Sequence, residues 1–329
     1  MYWSGGAFLF SRLPAKDNLV VLVYHRIGNP DEDPFDPGVF SATGDQLNDQ
    51  ITHLKRTVSV VTLEEARAFV DGTLKDRTPR CRVLITFDDG YLDNYEVAFP
   101  ILRSHGVQGV FFLTTSLIGS YFVPWWDEIA FLLKTARKQR FSLHYSTDLA
   151  VNLVEDGVQN SIRNIIGVFK KAECNDPERF IRELREKTEG EDLPATMRRF
   201  LSWDEGKAMI GGGMAIGSHC HSHVVLSQLE PEQQSEELTV SRSLLKEKLG
   251  INVESIAYPI GGITAFSEQT QMLAQKAGYS IAFSYYGGTN AFGQANAYNV
   301  NRIGIFGDQS QLRFRVQTAT CRATGKYWP

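Results

Sequence analysis

The stretch that most constrains this chain is Val83-Leu-Ile-Thr-Phe-Asp-Asp-Gly-Tyr91. An apolar run of strand length, rich in β-branched and aromatic residues, stops abruptly at two neighbouring carboxylates, Asp88 and Asp89, and a glycine. A buried strand that carries two like charges to its carboxyl end meets repulsion and desolvation unless a cation or a reaction uses them. An Asp-Gly after a strand is also an ordinary turn, so the rest of the chain has to decide between the two readings.

The neighbouring sequence repeats a strand–helix rhythm. Leu19–Ile27 is a continuous apolar strand that ends in Tyr24, His25 and Arg26. Residues 45–56 have helical spacing through Leu47, Ile51 and Leu54. Ser59–Leu63 reads as a short strand, and Thr62-Leu-Glu-Glu65 is a capping-box signature for a helix over 63–71. After the paired aspartates come a helix from about Glu96 to His105, closed by Gly106, and a strand over Gln108–Thr115. From about 120 to 212 the rhythm gives way to amphipathic helical stretches, read as a helical insertion within one domain spanning 1–329. Strands resume at Met214–His219, Glu254–Pro259, Ser280–Tyr285 and Val300–Phe306, separated by helices near 231–249 and 267–277. The expected fold is α/β: an irregular (β/α) barrel of seven or eight mostly parallel strands with a helical insertion. Sites in such barrels lie at the carboxyl ends of strands, where His25, Asp88, Asp89, His219 and Tyr258 all fall.

Bulk properties narrow the partners. A net charge of -4 offers no basic footprint for nucleic acid. No apolar run approaches the ~18 residues of a membrane span. The four cysteines, at 81, 174, 220 and 321, show no paired spacing, which favours a reducing compartment. The first residues lack the pattern of an export signal, so the expected location is the cytoplasm or the inner face of the membrane. Phe8, Leu9, Phe10 and Leu13 are read as cover for the bottom of the fold, with contact to a membrane surface as the alternative.

Gly217-Ser-His-Cys-His-Ser-His223 holds three of the seven histidines. Neutral imidazole is the commonest protein metal ligand, and a catalytic zinc takes about three protein ligands plus an open position. A carboxylate of the 88–89 pair would complete such a set. Spacing leaves the choice of histidines open: an extended backbone aligns 219, 221 and 223, whereas a turn unites 219 and 223. Cys220 is read as a buried thiol in preference to a fourth ligand.

These residues also carry a resemblance. Thr86-Phe-Asp-Asp-Gly-Tyr91 with Gly-Ser-His219-x-x-x-His223-x-x-Leu226-Ser resembles the first two motifs of the polysaccharide deacetylases, the family four carbohydrate esterases. Tyr24-His25-Arg26, Trp125-Trp-Asp-Glu128, Trp203-Asp-Glu205, Ala257-Tyr-Pro-Ile-Gly261 and Ala277-Gly-Tyr-Ser-Ile-Ala-Phe283 are similar to further blocks of a bacterial subgroup. The resemblance implies a metal-dependent hydrolase that removes an N-acyl group, usually acetyl, from an amino sugar. It implies that Asp88 is the general base, and that Asp89, His219 and His223 hold one divalent metal ion, with zinc the expected choice. Where the main branch reads Arg-x-Pro-Tyr, this chain has Ala257-Tyr258-Pro259-Ile260, so another group must orient Asp88. The Ile260 amide would then serve the oxyanion, and Tyr258 could contact sugar. No histidine follows residue 223, where the family usually places its general acid, and His25 is the candidate replacement.

Trp125 and Trp126 are candidates for stacking on sugar, as is Trp203, with Asp127 and Glu128 for its polar groups. Tyr285, Tyr286 and the turn Gly287–Asn290 form a second candidate edge. The expected substrate is an N-acylated amino sugar, on nucleotide- or lipid-linked intermediates of surface-polysaccharide assembly. Removal of formyl or opening of another amide is one alternative, and a non-catalytic saccharide-binding barrel is another.

Overall fold

The structure, a computed structural model, describes residues 15–327 apart from 77, 145–147, 172–176 and 195–196. The apolar residues at 8, 9, 10 and 13 and the cysteine at 174 lie outside the described residues. The chain divides into two compact units, one of residues up to 28, 41–120 and 200 onward, the other of 29–40 and 121–199.

The first unit is built on a curled, mostly parallel sheet. Its strands are β1 (Asn18–Tyr24), β2 (Cys81–Phe87), β3 (Gly109–Leu113), β4 (Ala215–Ser218), β5 (Ser255–Ala257), β6 (Ile281–Phe283) and β7 (Ile303–Gly304). Order across the sheet runs β6-β5-β4-β3-β2-β1, with β7 parallel to β1 through Leu22↔Ile303 and Val23↔Gly304. A parallel bridge joins Phe283 to Val300, so the segment around β7 bonds to both edges and draws them together. Short additions, Ser59–Val60 on β2 and the antiparallel Asn290–Ala291 on β1, extend the rim.

Period-two alternation assigns each strand residue to a face. Leu19, Val21, Leu84, Val110, Phe112, Ala257, Phe283 and Val300 form one apolar cluster inside the curl. Val20, Leu22, Tyr24, Val83, Ile85, Phe87, Phe111, Ile216, Ile256 and Tyr258 face outward into a larger cluster with the helices. Those helices are α1 (Gly44–Thr57), α3 (Phe99–His105), α4 (Trp203–Gly211), α5 (Pro231–Leu249), α6 (Glu268–Lys276) and α7 (Gln311–Thr324), whereas α2 (Leu63–Val70) buries Ala66, Phe69 and Val70 in the inner cluster. The Thr62–Glu65 capping box opens α2 as its sequence predicts, and Gly250 closes α5 at φ 72°. No described helix is long and apolar enough to cross a membrane.

Sequence leads to the expectation of a helical insertion, but the second unit is not wholly helical. It holds helices Trp125–Lys134, Val158–Lys171 and Pro177–Thr188 together with an antiparallel hairpin of Arg140–His144 and Asp148–Asn152. The hairpin carries a short period-two alternation, with Leu143 and Val151 buried, that the sequence reading passed over. Residues 29–40 belong to this unit, whereas 200–212 return to the first, because α4 is the crossover that feeds β4. Arg199 lies 3.6 Å over the Phe35 ring and pairs with buried Asp127 at 2.8 Å, tying the two chain segments of the unit together.

Inside the curl, Gly217 on β4 has no room for a side chain. A Cβ there would meet the Phe112 ring at 2.4 Å and Ser255 Oγ at 2.7 Å. Gly217→Ala is expected to cost about 1–3 kcal/mol of stability. Urea unfolding should show a lower midpoint with an unchanged slope; an unchanged midpoint would contradict this packing.

Candidate active site

Strand parity explains which side chains meet at the carboxyl end of the curl. His25, Asp88, His219, Tyr285 and Arg302 each fall in register with the inward set of their strands. Asp89 falls in register with the outward set. It is turned back by a left-handed backbone, φ 73°, followed by Gly90 at φ 83°. The bend therefore begins at the aspartate itself, one residue before the glycine that sequence singled out. A Cβ at Gly90 would strike Ile118 at 2.8 Å, and the turn is pinned by Asp88 N–H to Tyr24 O (2.9 Å) and Leu201 N–H to Gly90 O (3.0 Å).

The histidine stretch also turns. Cys220 and His223 adopt φ 62° and 58°, which resolves the spacing in favour of His219 with His223. The turn is laced to the end of β3 by Thr115 N–H to Cys220 O (3.2 Å) and Ser116 N–H to His221 O (2.9 Å). Glu237 on α5 accepts from the N–H groups of His221 and Ser222, both at 2.9 Å. Non-glycine residues with positive φ are uncommon and strained, and four of the five among the described residues are Asp89, Cys220, His223 and Ile260.

Asp89 Oδ1 lies 3.4 Å from His219 Nε2 and 3.3 Å from His223 Nε2. Ligand atoms of the three residues all fall within 4.8 Å of one another. His219 Nδ1 is 2.7 Å from Ala257 O, which can only accept, so Nδ1 carries the proton and Nε2 offers its lone pair. Asp89 Oδ1 is buried and makes no hydrogen bond among the described residues. A buried orphan oxygen facing two imidazole nitrogens is the donor set of a two-histidine, one-carboxylate cation site, and the three residues fit a divalent metal. Burial would raise the Asp89 carboxyl, yet the two imidazoles beside it hold it well below the usual carboxylate range. Burial would lower His219, but Asp88 and Asp89 raise it above the ordinary histidine value. His221 instead meets Thr115 Oγ1 through Nδ1 at 2.9 Å. Burial pushes the Cys220 thiol well up, leaving it a protonated core residue.

Asp88 has a partner that sequence reading missed. Arg302, on the segment entering β7, meets it in a two-pronged pair, Nη1 to Oδ1 and Nη2 to Oδ2, each 2.7 Å. Arg302 is 1% exposed, and its Nε donates to Ser284 O at 3.0 Å. Burial would raise Asp88, but Arg302, His219 and His25 together keep it below the usual value, hence ionised. The signal was available: in Val300-Asn-Arg-Ile-Gly-Ile, alternation buries Ile303 and Ile305 outward and so turns Arg302 inward.

His25 is gripped through its backbone. Ser41 Oγ accepts its N–H at 3.0 Å, and Asn94 Nδ2 donates to its carbonyl at 2.7 Å. Next to Asn94, Asp93 accepts from Arg26 Nε and Ile27 N–H, both at 2.9 Å. A π-turn over Asn94–Ala98 follows at the start of the helix. Burial lowers the His25 ring, against the opposing pull of Asp89 and Asp88, so the neutral imidazole is favoured.

The remaining expected contacts divide. Ile260 holds φ 61°, strained for a β-branched residue, and its N–H donates to no group among the described residues. Tyr258 faces outward instead: it is fully buried, stacks on Phe266 at 4.2 Å and donates its hydroxyl to Tyr298 O at 3.2 Å. That packing leaves no ring face for sugar. Trp126 is 5% exposed and built into the core of the second unit, whereas Trp125 is half-buried, with one face stacked on Phe169 at 4.4 Å. Glu128 pairs with Arg185.

The sequence profile described as polysaccharide deacetylase matches residues 75–282. YxkH of Bacillus subtilis (strain 168), itself named only provisionally as a polysaccharide deacetylase, is 23% identical over 301 residues, 91% of this chain and 75% of its own. Among solved structures, the Streptococcus pyogenes deacetylase PplD in complex with acetate superposes with a TM-score of 0.59 at 20% identity, covering 92% of this chain and 98% of that one. IcaB from Ammonifex degensii gives 0.57 at 21% identity, covering 93% and 98%. These likenesses establish the fold.

Protons compete with metal for His219 Nε2, whose affinity for a proton is raised. Metal affinity should therefore weaken by about tenfold or more per pH unit as pH falls through and below neutrality. Chelator competition with zinc between pH 8 and 5.5 measures this, and a flat profile would contradict the ligand assignment.

Proposed function

The chain belongs to the polysaccharide deacetylase family, and from that premise we propose that it is a metal-dependent hydrolase removing an N-acyl group, acetyl first, from an amino sugar. One observation carries the proposal: the Asp89, His219 and His223 donor set lies beside an ionised Asp88 whose carboxylate is held by Arg302. Asp89, His219 and His223 hold the divalent ion, for which zinc suits two imidazoles and a carboxylate. When bound, such an ion makes water more acidic and polarises an acyl oxygen.

The protein's own groups supply the rest. Asp88 accepts a proton from the attacking water, using the lone pairs that Arg302 leaves free. Arg302 fixes the direction of that carboxylate at some cost in basicity, since a paired carboxylate is a weaker base. The N–H of Ile260 is free to donate to the oxygen on which negative charge develops. The water's proton must end on the departing amine nitrogen. His25, neutral at rest, receives it from Asp88 and passes it on, so no imidazolium is needed at the outset.

The non-catalytic reading draws on the arginine missing from the third motif and the missing late histidine; Arg302 supplies the first, and His25 is the candidate for the second. The proposed substrate remains a nucleotide- or lipid-linked N-acyl sugar in the cytoplasm or at the inner membrane face. Cys81, Cys220 and Cys321 are unbridged buried thiols, in keeping with a reducing compartment. Recovery of the native protein from an exported fraction would contradict that location.

Zinc-loaded protein should release acetate from N-acetylated amino sugars, and chelation should abolish release until zinc is restored. Asp88→Asn should lose about 10²–10⁴-fold in kcat with metal still bound. His25→Ala should lose about 10²-fold while binding metal normally. Formate release in place of acetate would move the reading to a deformylase. Equal inertness of wild type and Asp88→Asn, both holding one metal, would overturn it.

A further inference from the structure

Beyond the groups used above, Tyr285, part of the second candidate edge in the sequence, stands at the mouth of the curl. Tyr285 follows β6 by two residues, so it shares the inward face with Phe283. Its backbone N–H donates to Gly261 O at 2.7 Å, which docks it against the strained Ile260–Gly261 turn. Its ring crosses the next strand at Gly304: a Cβ at that glycine would lie 1.8 Å from the Tyr285 hydroxyl and 2.7 Å from Cζ. Gly304 stands two residues after Arg302 on the same inward face, and Val23, two residues before His25, pairs with it. The hydroxyl is thus placed near Arg302 and Asp88, and the absence of a side chain at 304 is what lets it reach there. Among the described residues the hydroxyl makes no hydrogen bond. Burial raises the phenol to about 12, so it stays protonated and can donate as well as accept. Tyr286, one residue on, points the other way and stacks on Phe266 at 5.5 Å.

We propose that the Tyr285 hydroxyl is a substrate-binding group that hydrogen-bonds a hydroxyl of the amino sugar, and that Gly304 is the cleared position that admits it. The assignment deepens the N-acyl sugar reading and rests on it. A polar group that neither ligates the metal nor moves the proton, yet lies beside the base, is suited to recognising the sugar and not the acyl group. A sugar-free acyl compound should therefore not depend on it.

The test compares wild type, Tyr285→Phe and Gly304→Ala, all zinc-loaded, on N-acetylglucosamine oligosaccharides and on 4-nitrophenyl acetate. Tyr285→Phe should raise KM for the oligosaccharides about tenfold with kcat little changed, the effect of one neutral hydrogen bond. Its hydrolysis of 4-nitrophenyl acetate should equal wild type. Gly304→Ala, which displaces the phenol, should reproduce that split, with circular dichroism confirming a folded chain. An unchanged oligosaccharide KM in Tyr285→Phe, or an equal loss on 4-nitrophenyl acetate, overturns the assignment. Calorimetric binding of the same oligosaccharides to zinc-loaded Asp88→Asn protein separates the two claims. Binding weakened by Tyr285→Phe, without acetate release by wild type, sustains Tyr285 and sinks the deacetylase reading. No binding to Asp88→Asn, with or without Tyr285→Phe, overturns the Tyr285 assignment.

Discussion

The pairing of Asp88 with Arg302 is the interaction on which the rest of the site depends. Both groups are almost fully buried, and either charge left alone there would be strongly destabilising. Together they join the second strand of the sheet to the last, across β1. The bond therefore does two things at once. It fixes the carboxylate proposed as the base, and it holds the final segment where that segment can bond to both sheet edges. A catalytic requirement and a folding requirement meet in one ion pair.

Strain forms the second layer of the design. Parity alone would send Asp89 outward, away from Asp88, and would leave the histidine turn unable to bring 219 and 223 together. Left-handed backbone at Asp89, Cys220 and His223 undoes that parity at the positions where ligands are needed. Such conformations persist only where the surroundings over-determine them. Here the surroundings are the hydrogen bonds from Leu201, Thr115 and Ser116, and the Glu237 carboxylate beneath the turn. Two buried like charges that looked costly in the sequence are separated in this way into different jobs. Asp88 is neutralised by Arg302, and Asp89 by the groups around the metal position.

Much of this was legible beforehand because strand alternation and motif spacing are local properties. The strands, the helices between them and the Asp-Asp with His-x-x-x-His set follow from a few consecutive residues each. The Arg302 contact spans 214 positions and could be found only by asking which face of the last strand each residue occupies. The same question places Tyr258 outward among Phe266 and Tyr298, where a strand-end position alone suggested a sugar contact. Trp125 and Trp126 were read by residue type; the core of the second unit claims Trp126, and Phe169 occupies one face of Trp125. The hairpin in that unit does carry a period-two alternation, but its five-residue strands are short and set among strongly amphipathic helices, whose longer pattern dominates the segment.

The central claim is that the contribution of Arg302 to the reaction runs through Asp88. A double-mutant cycle on kcat/KM for an N-acetylated amino sugar, with zinc-loaded wild type, Asp88→Asn, Arg302→Gln and the double variant, tests it directly. The account predicts that Asp88→Asn and the double variant are equally impaired, since removing the arginine costs nothing further once the base is gone. Losses that multiply, with the double variant lower than Asp88→Asn by the full factor seen for Arg302→Gln alone, would contradict it.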